Sequence, residues 1–189
     1  MEKVKQLWAL AQAHKKISIA VAVVIVLIIM DVSTNGILPY THSCFICGEE
    51  NPRGLRLRCH LEDCGVVIRY TPQEEDCGWS KFVHGGIATA LLDEVMTWAA
   101  ILSTHRACVA AEINVRLIKP IIAGRELHII GNTKQAKSRL VLVKGAILNE
   151  KNDLVFSSEG KYIPMDKKEA LRCAQDFVES PDTIAITDI

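Results

Sequence analysis

The segment His84-Gly85-Gly86-Ile87-Ala88-Thr89-Ala90-Leu91-Leu92-Asp93 sets a histidine, two glycines and a carboxylate on an otherwise almost wholly apolar stretch. A carboxylate is expensive to bury without a partner, so something must offset the burial of Asp93. A reaction is one reading. The glycine pair permits close backbone approach and leaves free amide N–H groups at a helix start, which suits a developing negative charge. The competing reading is a helix crossing a sheet, with Asp93 at its polar margin or paired to a basic side chain.

Helix geometry sorts these residues. At about 3.6 residues per turn, Gly86, Ala90, Asp93 and Thr97 share one stripe, with Thr89 beside it. Ile87, Leu91, Val95, Trp98 and Leu102 form a broad apolar face, extended by Ala88, Leu92, Met96 and Ala99. Asp93 therefore looks out over small neighbours, with room for a ligand. Glu94 lies roughly 100° away on the wheel and cannot stand in for it.

The surrounding pattern predicts the frame. Leu55, Leu57, Cys59 and Leu61 alternate with polar residues as in a half-buried strand. Val66–Thr71 reads as a second strand, and residues 72–83 as a charged loop holding Gly78 and Trp79. After the helix at about 85–102 come strands at 108–119, 126–135, 140–148 and 154–163, with turns at Pro120/Gly124 and at 149–153. Residues 166–178 read as a surface helix, and the tail to Ile189 as loose. Antiparallel runs around one helix indicate an α+β fold with the helix against one sheet face. So apolar a helix needs further cover, from a curled sheet or a second subunit.

Composition narrows the function. The 189 residues carry 22 basic and 22 acidic side chains, so no positive surplus argues for nucleic acid. Seven cysteines, an odd number, fit a reduced compartment better than a disulfide framework. Cys44, Cys47, Cys59 and Cys64, with His42 and His60, invite a zinc reading. Cys59 falls on the inward face of its strand, where a thiol serves as a small hydrophobe, so no metal is expected. Cys77 with His84 would make a nucleophile only if the two touched and the thiol were activated.

Ile17–Met30 is apolar apart from Ser18, with Lys15 and Lys16 before it and Asp31 after. As a helix it covers roughly 21 Å, short of the roughly 30 Å hydrocarbon core. A short membrane anchor, a signal-peptide core and an interfacial helix compete, and the anchor is the favoured reading. The positive-inside rule would hold Lys3, Lys5, Lys15 and Lys16 in the cytoplasm and send the domain across. Attachment to the membrane surface instead leaves the domain cytoplasmic, the expectation adopted. The organisation expected is an N-terminal segment and linker at 1–40, a domain at 41–165 and a tail at 166–189.

Three segments together resemble a known family. HGGIATALLDE, with Gly78-Trp79 just upstream, resembles the hotdog-fold acyl-CoA thioesterases of the phenylacetate-pathway type. CFICGEENPRGLRL resembles the opening of one branch of that family, and AAEINVRLIKPIIAG its strand after the helix. The resemblance covers about Cys44–Ile163. It implies a hotdog fold, a curled antiparallel sheet wrapped around one long central helix, assembled as a homodimer or homotetramer with sites at the interface. It implies acyl-CoA as substrate and no cofactor. Asp93 matches the general base or nucleophile, the Gly85 or Gly86 amide the oxyanion donor, and His84 an orienting group. Thr89, Thr97, Trp79, Arg116 and Lys119 become candidate substrate contacts, the two cations through the phosphates of coenzyme A.

The chain also departs from the family. Gly78 stands where some members carry Asn, and Ala110 where some carry Ser or Thr. Water is then left to Asp76, Thr89 or Thr97. The alternative is a non-catalytic acyl-CoA-binding or regulatory module on the same fold.

Overall fold

The computed structural model describes residues 36–178 and 180–185. The apolar stretch at 17–30 lies outside them. The described residues belong to one compact unit.

Within this unit the strands are β1 (Gly36–Ile37), β2 (His60–Glu62), β3 (Gly65–Tyr70), β4 (Cys77–Trp79), β5 (Phe82–Val83), β6 (Cys108–Leu117), β7 (Leu127–Lys137), β8 (Leu140–Asn149) and β9 (Leu154–Pro164). The helices are α1 (Gly85–Thr104) and α2 (Lys167–Ala174). Seven strands pair antiparallel in the order β1-β2-β3-β7-β8-β9-β6, and β4-β5 form a small separate hairpin. α1 packs against β7, β8, β6, β3 and β9. This is the expected α+β architecture, a curled sheet around one long helix.

The core follows from the two periodicities. Leu91, Leu92, Val95 and Met96 of α1 are fully buried, as are Ile68, Ile129, Val141, Ile147 and Tyr162 of the sheet. Each such apolar side chain contributes roughly 1.5–3 kcal/mol relative to exposure. The helix comes closest to the sheet over β7. A Cβ on Gly131 would lie 2.3 Å from the Val95 carbonyl oxygen, a backbone atom that no rotamer change can move.

Two sequence readings are corrected. Only His60–Glu62 of the predicted first strand joins the sheet. Upstream, the Leu55 and Leu57 amides donate to the carbonyls of Phe45 and Ile46, at 2.9 and 2.8 Å. The alternation there reflects a hook, residues 38–58, folded back on itself with Leu38, Ile46 and Cys47 buried. Nor are the described residues of the tail loose. The Val178 and Ile184 amides donate to Tyr40 and Ile37, and Phe177 meets Trp98 of α1 edge-on with ring centroids 6.0 Å apart. α1 is apolar over more of its circumference than one sheet covers, and hook and tail add cover, with Cys44 against Glu94 and Phe177 against Trp98. Its length and hydropathy would also suit a membrane span, but half of that stretch is buried in this core.

Candidate active site

α1 begins where a short anchored loop ends. The carboxylate of Asp76, itself buried, accepts from the Tyr70 hydroxyl and from the Gln73 amide at 2.8 Å. The Asp76 carbonyl accepts from the His84 amide at 2.8 Å. Asp76 is thus a brace for the turn into the helix, and both its carboxylate contacts are structural.

His84 is the N-cap of α1, and its Nδ1 accepts from the Gly86 amide at 2.9 Å. That contact makes Nδ1 the acceptor, so in the neutral ring the proton sits on Nε2. It also engages the Gly86 amide, whereas no hydrogen bond from the Gly85 amide occurs among the described residues. Gly85 is therefore the free donor of the pair. The loop position where an asparagine was expected is explained by the same ring: a Cβ on Gly78 would lie 2.9 Å from His84 Cδ2.

Asp93 lies in the third turn of α1, half-buried. The Tyr162 hydroxyl donates to its Oδ1 at 2.9 Å, and the Thr97 hydroxyl reaches the same oxygen at 3.3 Å. Oδ2 accepts no hydrogen bond from the described residues. Burial, and then the charge of Asp93, push the Tyr162 phenol well above its ordinary range, so it is held as a neutral donor.

Tyr162 was not singled out from sequence. It stands opposite Ala110 in the β6–β9 register, so a polar group does occupy the neighbourhood where a serine or threonine was missing. The signal was its place in an alternating strand: Phe156, Ser158, Gly160 and Tyr162 are all buried. A buried tyrosine hydroxyl normally finds a partner, and Asp93 is that partner.

The remaining candidates divide. Thr97 joins Asp93, but the Thr89 hydroxyl donates back to the Gly85 carbonyl at 2.8 Å, within its own helix. Lys119 is engaged by Asp153 at 3.1 Å. Arg116 alternates with the half-buried Val115 and lines a groove with Asn114, Lys144 and Ser157, on the sheet face away from α1. Within one protomer neither cation joins Asp93. Trp79 is 84% exposed, and Phe82 and Leu117 stand exposed as well. The Cys77 thiol lies 3.9 Å from the Gln73 carbonyl and makes no bond to His84 among the described residues. The four-cysteine set is not assembled either: Cys59 is buried, Cys64 is exposed in the β2–β3 turn, and His42 pairs with Glu50 at 3.0 Å. Cys44 and Cys47 instead face Glu94.

Residues 80–156 match the family model of the thioesterase superfamily. The domain has the hotdog fold of that superfamily. The hotdog domain superposes on the Escherichia coli PaaI protein of the phenylacetic acid degradation operon with a TM-score of 0.51 at 20% identity, over 53% of this chain and 72% of that one. Zebra fish thioesterase superfamily member 2 gives 0.55 at 17% identity, over 61% and 89%. A Streptococcus mutans protein solved bound to acetyl CoA gives 0.52 at 18%, over 54% and 82%. At these identities the likeness is one of fold. By sequence, an uncharacterised protein of Schizosaccharomyces pombe is 24% identical over 85 residues, and the match spans about half of that protein, 49%.

Proposed function

We propose that the hotdog domain hydrolyses acyl-CoA thioesters, with Asp93 as general base. The observation that carries this reading is the asymmetry of the Asp93 carboxylate. One oxygen is fixed by Tyr162 and Thr97, and the other is left to accept from water. Oriented in this way, Oδ2 takes a proton from water while the water oxygen attacks the thioester carbonyl carbon. The carbonyl electron pair moves onto oxygen, where a free helix-start amide stabilises it. The intermediate collapses, the C–S bond breaks with its electron pair on sulfur, and the proton held by Asp93 passes to the thiolate. The products are a carboxylic acid and coenzyme A.

The separation of the parts argues for a shared site. Gly85 and Asp93 are eight residues apart on α1, roughly 12 Å along the axis. One thioester carbonyl cannot meet both at hydrogen-bond distance, so Asp93 works with Gly85 of the partner subunit. β6 supports such pairing. It is an outer strand, ten residues long, with Val109 and Leu117 exposed. A long unpaired edge of this kind is a template for a second sheet. The assembly proposed is thus a homodimer through β6, or a tetramer built from it. Exposed Trp79 and Arg116 are then available to a coenzyme A bound across the interface, and Lys119 on exchanging Asp153 for a phosphate.

Attachment to a membrane through residues 17–30, with the domain cytoplasmic, remains part of the proposal. Labelling of cysteines by an impermeant thiol reagent in intact cells tests the side. The PaaI-type assignment within the superfamily rests on the same HGG…D segment.

The deciding experiment is Asp93→Asn assayed by release of the coenzyme A thiol over a panel of acyl chains. Hydrolysis should fall by about 10²–10⁴-fold with fold and oligomer intact. Turnover at the wild-type rate would sink the mechanism. Tight acyl-CoA binding with no turnover in the wild type would favour the binding-module alternative, which the glycine at 78 and the alanine at 110 keep in view.

A further inference from the structure

Glu94 follows Asp93 but faces another way, toward the hook. There the thiols of Cys44 and Cys47 and the Glu94 carboxylate bring one ligand atom each within 4.8 Å of one another. Cys44 Sγ is 3.7 Å from Glu94 Oε2, and the Thr41 hydroxyl is 3.7 Å from Cys47 Sγ. Cys47 is buried, and the other two are half-buried.

The backbone around the pair is built tightly. The Gly48 amide donates to the Cys44 carbonyl at 2.9 Å, closing the Cys-x-x-Cys-Gly turn. A Cβ on Gly48 would lie 2.3 Å from that carbonyl oxygen, so glycine alone fits. The Ile46 amide points at Cys44 Sγ across 3.3 Å, a bond that favours a charged sulfur.

Charge is the second argument. Among the described residues no lysine, arginine or histidine forms an ion pair or hydrogen bond with Glu94, whose carboxylate is hydrogen-bonded only by the Cys44 thiol. Buried anions are held by pairing or by a metal ion. We propose that Cys44, Cys47 and Glu94 bind a thiophilic divalent metal ion, zinc above all, which clips the hook onto α1. Zinc takes thiolates at about 2.3 Å and carboxylates at about 2.0–2.2 Å in a tetrahedron, which sets neighbouring ligand atoms roughly 3.5–3.8 Å apart. The Cys44–Glu94 distance of 3.7 Å already falls there. Calcium and magnesium prefer all-oxygen sites, so two sulfurs select against them. Three protein ligands leave a fourth position for water. The clip would pin the helix turn that carries Asp93, while its existence is independent of any thioesterase activity.

The test uses the full-length chain, reduced and stripped by chelator, then titrated with Co²⁺ and with Zn²⁺. About one equivalent should bind per chain, with the near-ultraviolet thiolate-to-cobalt absorption of a tetrahedral site, and zinc should displace it. Cys44→Ser and Cys47→Ser should each remove the absorption, and Glu94→Gln should weaken binding by about tenfold or more. Cys64→Ser and Cys173→Ser should leave it unchanged. Three results overturn the proposal: no thiolate absorption in the reduced wild type, an absorption that survives Cys44→Ser, or a Cys44–Cys47 disulfide that forms despite stoichiometric zinc.

Discussion

Tyr162 donates its hydroxyl to Oδ1 of Asp93 across 2.9 Å, from the end of β9, next to the edge strand, to the middle of the helix. The bond gives the carboxylate two unequal oxygens. Tyr162→Phe keeps the ring in the core and deletes only the hydroxyl. It should lower kcat about tenfold while KM changes little, because the lost contact orients the base rather than holding substrate. Steady-state kinetics on one acyl-CoA decides this. A pure KM effect would assign Tyr162 to binding.

Complementation between two inactive chains tests the shared site. Gly85→Pro removes the free amide at the first helical position, where proline's fixed φ is tolerated. His84 already has the extended backbone that a following proline requires, φ −62° and ψ 128°. Gly85→Pro should cut kcat by about 10²–10³ without unfolding the protein. Unfolded and refolded together, Gly85→Pro and Asp93→Asn chains should recover about a quarter of wild-type activity, since half the dimers are mixed and each has one intact site. No recovery in demonstrably mixed dimers would place both groups in one subunit.

His84 is a cap before it is anything else. His84→Ala should lower stability by about 1 kcal/mol through the lost bond to the Gly86 amide. His84→Asn, a good cap, should restore most of it. Hydrolysis in both variants should fall far less than in Asp93→Asn. Thermal unfolding beside thiol-release kinetics separates the two roles. An Asn variant that is stable yet inactive would make His84 catalytic.

Alkaline pH should loosen the fold through the buried phenol of Tyr162 and the half-buried phenol of Tyr70. Burial first, and then a neighbouring carboxylate, raise both Tyr70 and Tyr162 above the ordinary phenol value. Below about pH 10 the phenols are neutral in folded and unfolded chains alike, and their contribution is fully present. Above it the unfolded chain loses these protons while the folded chain keeps them, so stability falls as pH rises. Melting temperatures of wild type and Tyr162→Phe from pH 8 to 11 should diverge in slope only above about pH 10. Parallel curves would remove Tyr162 from that account.

Much of the site was legible in the order of residues because it rests on local geometry. The 3.6-residue period placed Asp93 and Thr97 on one stripe of α1 and set Glu94 apart, and the structure keeps that division. The glycine pair and His84 announced a helix start. Alternation located the main-sheet strands from 66 onward to within a few residues but missed the short β4–β5 hairpin inside the stretch read as a loop, and the hotdog architecture followed from the order of the main strands around one apolar helix. What the order of residues could not settle was pairing between distant segments. Alternation at 55–59 looks the same in a sheet as in a hook, and only the Phe45 and Ile46 carbonyls decide between them. Tyr162 lies 69 positions from Asp93, and Glu94 lies 50 from Cys44. Such contacts come from the register of β9 beside β6 and from the hook closing over α1, which are sums over the whole packed core. The sequence by itself determined the groups available for chemistry and the face of α1 that carries each. Tertiary structure alone decided which oxygen of Asp93 is free, which glycine amide is unengaged, and which thiols meet Glu94. Each of those depends on atoms that only folding brings together.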